Sequence, residues 1–131
     1  MAEVQGVHHV ALSVSDVDRS AAFYEKVFEG QKIMEADEAD HRFRLYMCPG
    51  GLAIGLHEHA ACPDGDRFSE FRCGLDHLAF GCKDRAEVEA WEEKLNGLGV
   101  ENSGITDAPY GHVLVFRDPD NIQLEFFAMP S

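Results

Sequence analysis

Hydrophobic and polar positions alternate with a two-residue period over residues 7–14 and again over 75–82, the pattern of a half-buried strand. In the first stretch Val10, Leu12 and Val14 share one face with His8, while His9, Ala11 and Ser13 share the other. In the second, Leu78, Phe80 and Cys82 oppose His77, Ala79 and Gly81. After each stretch the period lengthens to that of a helix. The first helix is predicted to start at 16–18, to pack Ala21, Tyr24, Val27 and Phe28, and to stop at Gly30 as a left-handed terminator. The second starts at Asp84, with Glu87 three residues on as in a capping box, and lines up Val88, Trp91, Leu95 and Leu98 before Gly99. Three further strands are expected after each helix, near 31–36, 42–48 and 52–57 in the first half and near 100–103, 112–117 and 122–127 in the second. The turn Asp118-Pro119-Asp120-Asn121 joins the last two as a hairpin.

These halves are copies of one unit. With an offset of 68, His9-Val10-Ala11-Leu12 lies over His77-Leu78-Ala79-Phe80, Asp16 over Asp84, Ala22 over Ala90, and Glu25-Lys26 over Glu93-Lys94, so that six of 19 positions are identical. With the offset widened to 70, Pro49 falls on Pro119 and Leu52-Ala53-Ile54-Gly55-Leu56 on Ile122-Gln123-Leu124-Glu125-Phe126. The expectation is a single domain, 1–131, of two modules at about 6–58 and 75–128. The polar stretch 58–74 joins them and reads equally as a flap or as a linker.

Charge narrows the function classes. The 131 residues carry 24 acidic and 11 basic side chains, a net charge of −13, which argues against a nucleic-acid backbone or an anionic membrane surface as partner, since these require clustered Lys and Arg. No apolar run has the length of a membrane span, and residues 1–6 do not read as a secretion signal, so a cytoplasmic protein is expected. Cys48, Cys62, Cys73 and Cys82 form no C-x-x-C pair and are read as reduced thiols.

Seven histidines invite a metal reading. His8 is taken as a satisfied residue at the start of a strand, and His41 and His59 as solvated loop residues. His57 falls on the parity of Gly55, and His112 opens a strand after Tyr110-Gly111. His9 and His77 differ from these because the repeat makes them equivalent. Two imidazoles related by an approximate twofold are able to meet one ion, and the matching inward position of the last strand is Glu125. A carboxylate inside Ile122-Gln123-Leu124-Glu125-Phe126-Phe127 is costly to bury unless it is paired or coordinated. Two His and one carboxylate make a facial triad with open positions. The competing reading is two structural histidines and a carboxylate paired with Arg42, Arg44 or Arg117.

The runs His9-Val-Ala-Leu-Ser-Val-Ser-Asp16, Ser20-Ala-Ala-Phe-Tyr-Glu-Lys26, His77-Leu-Ala-Phe80 and Phe116-Arg-Asp-Pro-Asp-Asn-Ile-Gln-Leu-Glu125 resemble the vicinal oxygen chelate superfamily. Its members include glyoxalase I, fosfomycin resistance enzymes, extradiol dioxygenases and bleomycin-binding resistance proteins. The resemblance spans residues 6–128. It implies an α+β fold in which two βαβββ modules form a curled mixed sheet around a central cavity, with helices outside. It also implies a divalent ion (Fe, Mn, Zn, Ni or Co) on His9, His77 and Glu125. The chain departs from glyoxalase I, whose fourth ligand falls here on Gly55. It departs from the extradiol enzymes, whose acid/base tyrosine falls on Val115, with Tyr110 and Tyr46 the nearest tyrosines. The basic, potassium- and phosphonate-binding loop of the fosfomycin enzymes has no counterpart run of Lys, Arg and Ser.

Two readings follow. One is a metal-dependent enzyme acting on a small substrate with adjacent oxygens, as a lyase, isomerase, epoxide-opening transferase or dioxygenase. His57, Tyr110 and His112 are then the candidates for proton transfer. The other is a metal-free protein that sequesters a cationic or aromatic compound, as the bleomycin-binding members do. Either is expected to be a homodimer, because each module pair presents sheet edges that superfamily members cover with a partner.

Overall fold

The computed structural model describes residues 1–131, in two compact units, Met1–Asp66 and Arg67–Ser131. Each unit runs strand, helix, then three strands. In the first these are β1 (Val10–Ser13), α1 (Val17–Phe28), β2 (Gln31–Asp37), β3 (His41–Met47) and β4 (Ala53–His59). In the second they are β5 (Leu78–Gly81), α2 (Arg85–Gly97), β6 (Thr106–Ala108), β7 (Gly111–Arg117) and β8 (Gln123–Ala128). The sheets have the same topology, β1-β4-β3-β2 and β5-β8-β7-β6, with the first strand parallel to the last and the other pairs antiparallel. This is an α+β fold of two βαβββ modules. The register carries the repeat as well: Ala11 faces Gly55 across β1 and β4, as Ala79 faces Glu125 across β5 and β8.

One face of each sheet packs on its helix. In the first unit Leu12, Tyr46, Ile54 and Leu56 are buried with Val17, Ala21, Tyr24, Val27 and Phe28 of α1. In the second, Leu114, Phe116, Leu124 and Phe126 are buried with Val88 and Leu95 of α2, and Trp91 stacks on Phe126 with centroids 4.2 Å apart. Each fully buried apolar side chain contributes about 1.5–3 kcal/mol. Strand alternation turns the odd-numbered positions of β1, β3 and β4 to the other face, away from α1. These include Ala11, Ser13, His41, Phe43, Gly55, His57 and His59, and they form the face on which the chemistry of this unit lies.

The helix starts follow the sequence. Asp16 caps α1, its side chain accepting from the N–H groups of Asp18 and Arg19 at 3.1 Å each. Asp84 caps α2 by accepting from Glu87 N–H at 3.0 Å, and the Glu87 carboxylate accepts in return from Lys83 N–H. The end of α1 differs from expectation. Glu29, not Gly30, takes the left-handed conformation (φ 55°). Gly30 instead permits close packing, since a Cβ there would lie 3.2 Å from Tyr46 Cβ and Cys48 Sγ. The strand expected at 100–103 is also corrected. Gly99 (φ 72°) donates to Asn96 and Val100 donates to Leu95, a double helix-ending turn that uses up Val100. Asn102 makes only an isolated bridge to Phe116, and the edge strand β6 forms later.

The segment 58–74 divides. Its start continues β4 to His59. Further on, Phe68 N–H donates to Asp120 O at 2.9 Å, Asn121 Nδ2 donates to Phe68 O at 3.1 Å, and Arg117 donates to Glu70 at 2.6 Å. The second half of this segment therefore clasps the β7–β8 turn within the second unit.

Candidate metal-binding site

In the second unit, β5 and β8 bring His77 and Glu125 together. His77 stands one residue ahead of β5, and Glu125 lies mid-way along β8 opposite Ala79. His77 Nε2 is 3.6 Å from Glu125 Oε2, and Glu125 is largely buried with 14% of its side chain exposed. The other imidazole nitrogen, Nδ1, is 2.7 Å from Asp76 Oδ1, and Gln123 Nε2 donates to Asp76 O at 3.0 Å. A carboxylate on Nδ1 fixes the tautomer and leaves Nε2 as the ligand atom, the arrangement common around metal-bound histidines. It also raises the His77 pKa above the ordinary imidazole value, the Asp76 hydrogen bond being the chief cause and burial opposing it.

The arginines proposed as partners for Glu125 are engaged elsewhere. Arg44 is buried on the helix side and bonds Asp37 at 2.8 Å, Glu35 at 3.3 Å and Asp18 at 3.4 Å. Arg42 bonds Asp18 and Asp37 at 3.0 Å each. Arg117 bonds Glu70 and Gln123.

In the first unit His9 stands one residue ahead of β1, exposed, with Nδ1 2.9 Å from Nδ1 of His8. His8 is exposed too and precedes the strand, so it is not the core-side strand residue expected from parity. His57 lies over Gly55: a Cβ on Gly55 would be 3.2 Å from His57 Nε2. Burial first, then His41, His59 and His9, hold the His57 pKa below the ordinary value, so the ring is neutral at pH 7.

His41 and His59, expected in solvated loops, are on strands and directly opposite each other across β3 and β4. Their rings stack with centroids 4.7 Å apart, and His41 Nε2 is 2.9 Å from His57 Nδ1. Sequence reasoning missed this grouping. The signal present was the continuation of the two-residue period through Gly55, His57 and His59.

The remaining candidates are set apart. Tyr110 is exposed and stacks on Phe127, which shares the Glu125 face of β8. His112 pairs with Ala128 and shares the helix side with Leu114 and Phe116, its Nδ1 2.7 Å from Asp107. Asp107 is held down to about 2, by Arg85 first and His112 second. Burial pushes the Cys82 thiol up to about 11, so it is no thiolate nucleophile at neutral pH.

Known proteins are similar to this chain in sequence and fold. Metallothiol transferase FosB of Staphylococcus saprophyticus is 28% identical over 124 residues, covering 93% of this chain and 76% of that protein. A glyoxylase/bleomycin resistance protein/dioxygenase domain from Frankia sp. EAN1pec has 34% identity and a TM-score of 0.89, over 98% of this chain and all of that one. The fosfomycin resistance protein FosX from Listeria monocytogenes, in complex with Mn(II) and sulfate, has 25% identity and a TM-score of 0.71, over 98% of this chain and 95% of its own. No helix of this chain is long and apolar enough to cross a membrane. A sequence model of the superfamily matches residues 6–126, and the chain belongs to the Glyoxalase/Bleomycin resistance protein/Dioxygenase superfamily, whose architecture is that of the vicinal oxygen chelate proteins.

Proposed function

We propose that this chain is a divalent-metal-dependent enzyme that opens an epoxide, or adds a nucleophile to a similar small substrate with adjacent oxygens, at an ion held by His9, His77 and Glu125. The observation that carries the reading is the pairing of His77 Nε2 with the largely buried Glu125 carboxylate, with Asp76 holding the other ring nitrogen. One imidazole with its tautomer fixed, a carboxylate without an arginine and a further imidazole at the repeat-equivalent position are a chemically suitable donor set for such an ion. The names of FosB and FosX, and the Mn(II) in the latter's structure, support the reaction class.

When bound, the ion supplies Lewis-acid polarisation of the substrate oxygens. The chain's own residues manage the protons. His57, neutral and lying over Gly55, takes the proton of the attacking thiol or water as the new bond to carbon forms and the epoxide C–O bond breaks; the freed oxygen keeps the electron pair as an alkoxide and takes the proton back from His57. Tyr110 is the second candidate, on the Glu125 side of its sheet, and His112 the third, since it is turned to the helix side. In this reading the two modules act as one glyoxalase-like domain, the chain works as a homodimer, and it does so in the cytoplasm.

Titration with Mn2+ followed by EPR or calorimetry tests the ligand set, and turnover of an epoxide with a thiol or water tests the reaction. His9→Ala and Glu125→Ala are each expected to weaken Mn2+ binding by about 100-fold or more and to abolish turnover. Unchanged Mn2+ affinity in folded His9→Ala, or turnover that survives removal of the metal, would overturn the proposal.

A further inference from the structure

We propose that His41, His57 and His59 form a second metal site on the face of the first unit's sheet turned away from α1, selective for Zn2+, Ni2+ or Cu2+; it shares none of the ligands His9, His77 and Glu125, and an ion there would occupy His57, the first candidate for proton transfer. The backbone register creates it. His41 and His59 are direct cross-strand partners, and His57 precedes His59 by two residues, so all three side chains leave the sheet on one face. One ring nitrogen from each lies within 4.8 Å of the other two.

The ring contacts have the character of an assembled ligand set. His41 Nε2 and His57 Nδ1 meet at 2.9 Å, where one must donate a proton and the other accept. Ligand nitrogens held about 2.0–2.1 Å from a tetrahedral ion stand about 3.3 Å apart, so replacing the shared proton by an ion asks for a few tenths of an ångström of separation and a turn of both rings that makes their lone pairs converge beside the N–N line. His59 is then brought in by rotation of an exposed side chain, since its ring stacks 4.7 Å from that of His41. Phe43 stacks against both His41 and His57 at 5.9 and 5.5 Å and restrains these two rings.

Donor chemistry sets the ion. Three imidazoles with no carboxylate or thiolate among them favour borderline cations such as Zn2+, Ni2+ and Cu2+ over Mg2+, Ca2+ or Mn2+, which prefer oxygen. With three protein ligands, the ion keeps at least one position open for water or another small ligand. Mn2+ therefore reports on the first site, and Zn2+ reports on the second once Glu125 is removed, so the failure of either proposal leaves the other standing.

The test uses the full chain, stripped with a chelator and titrated with Zn2+ by calorimetry in a Glu125→Ala background, where the first site is disabled. One Zn2+ per chain is expected to bind, and His41→Gln with His59→Gln is expected to weaken it by at least about tenfold. The same double substitution in the otherwise unaltered chain leaves Mn2+ binding unchanged. On the unaltered chain, trace Cu2+ is expected to broaden the imidazole NMR signals of His41, His57 and His59 together, a readout that needs no variant to fold. Zn2+ affinity unaffected by the double substitution, or Cu2+ broadening confined to His9 and His77, would overturn the proposal.

Discussion

Gly55 stands on β4 where Glu125 stands on β8, each opposite an alanine of the parallel neighbour strand. Absence of a side chain there lets the His57 ring lie back over the sheet. A Cβ would come within 3.2 Å of His57 Nε2, the far end of a side chain that is able to swing aside, while Ala11 Cβ at 3.8 Å makes ordinary contact. Gly55→Glu is therefore expected to fold and to offer a second carboxylate at the position that mirrors Glu125. In the proposed site it fills a place otherwise left to substrate. The expected outcome is Mn2+ binding tightened about tenfold, near 1.4 kcal/mol, together with suppressed turnover. Calorimetric titration of both forms decides it. A folded variant with weaker binding would mean that Gly55 serves the packing of His57 alone. The equivalence of Gly55 and Glu125 was legible in the sequence because the apolar alternation around each position is the same. His41 and His59 were not, because a strand end rich in His and Glu has the composition of a loop. The polar residue that hides this strand is Glu58, which turns toward the helix and accepts from Val17 N–H at 2.8 Å.

At the scale of elements, both helices and their N-terminal caps were readable, since an aspartate ahead of an apolar stripe states where backbone N–H groups need an acceptor. What escaped was set by contacts distant in sequence. Gly30 looks like a terminator, yet its lack of a side chain is required by Tyr46 and Cys48 from β3. The strand at 100–103 has apolar character, yet Val100 is committed to ending α2. The buried arginine was hidden by the same blindness: Arg44 lies on the helix side of β3, and only the pairing of β2 with β3 brings Glu35 and Asp37 to it. This network ties β2, β3 and the start of α1 together, and it makes their stability depend on acid. The Arg44 guanidinium, then Arg42, holds the Asp37 carboxyl below its ordinary value, and Arg42 does the same for Asp18. A depressed carboxyl contributes stability above its unfolded pKa, about 3.9, and loses it as the pH falls through the folded value. Thermal melts followed by circular dichroism are expected to show a plateau above about pH 5 and a decline below about pH 4. Asp37→Asn should flatten the decline while lowering the plateau, and a variant whose decline keeps the original slope would rule out Asp37 as a contributor.

For the whole molecule, the repeat leaves four sheet edges, at β1 and β2 in one unit and at β5 and β6 in the other. Unpaired strand edges invite association, and proteins manage them by charge, bulges or a covering partner. The β2 edge is partly managed, with a bulge between Lys32 and Met34 and an ion pair of Lys32 with Glu35 at 2.8 Å. That defence is incomplete. Ile33 and Met34 on β2, and Met47 at the neighbouring end of β3, remain exposed, an apolar group along an edge that does not contribute to the unit's own core. A net charge of −13 opposes indiscriminate aggregation, so a partner has to meet such a surface in one defined way. A second copy related by a twofold axis satisfies this, because a symmetric interface presents the same patch to itself and closes after two chains. A stable interface of this kind buries more than about 1,000 Å² in total. Light scattering at micromolar concentration is therefore expected to give twice the chain mass of 14.6 kDa. Because apolar edges and not ion pairs hold the copies together in this account, raising the salt to about 0.5 M, where surface charges are screened within about 4–5 Å, should leave the mass unchanged or favour the dimer. A species of 14.6 kDa throughout would mean that the exposed residues of β2 have another use.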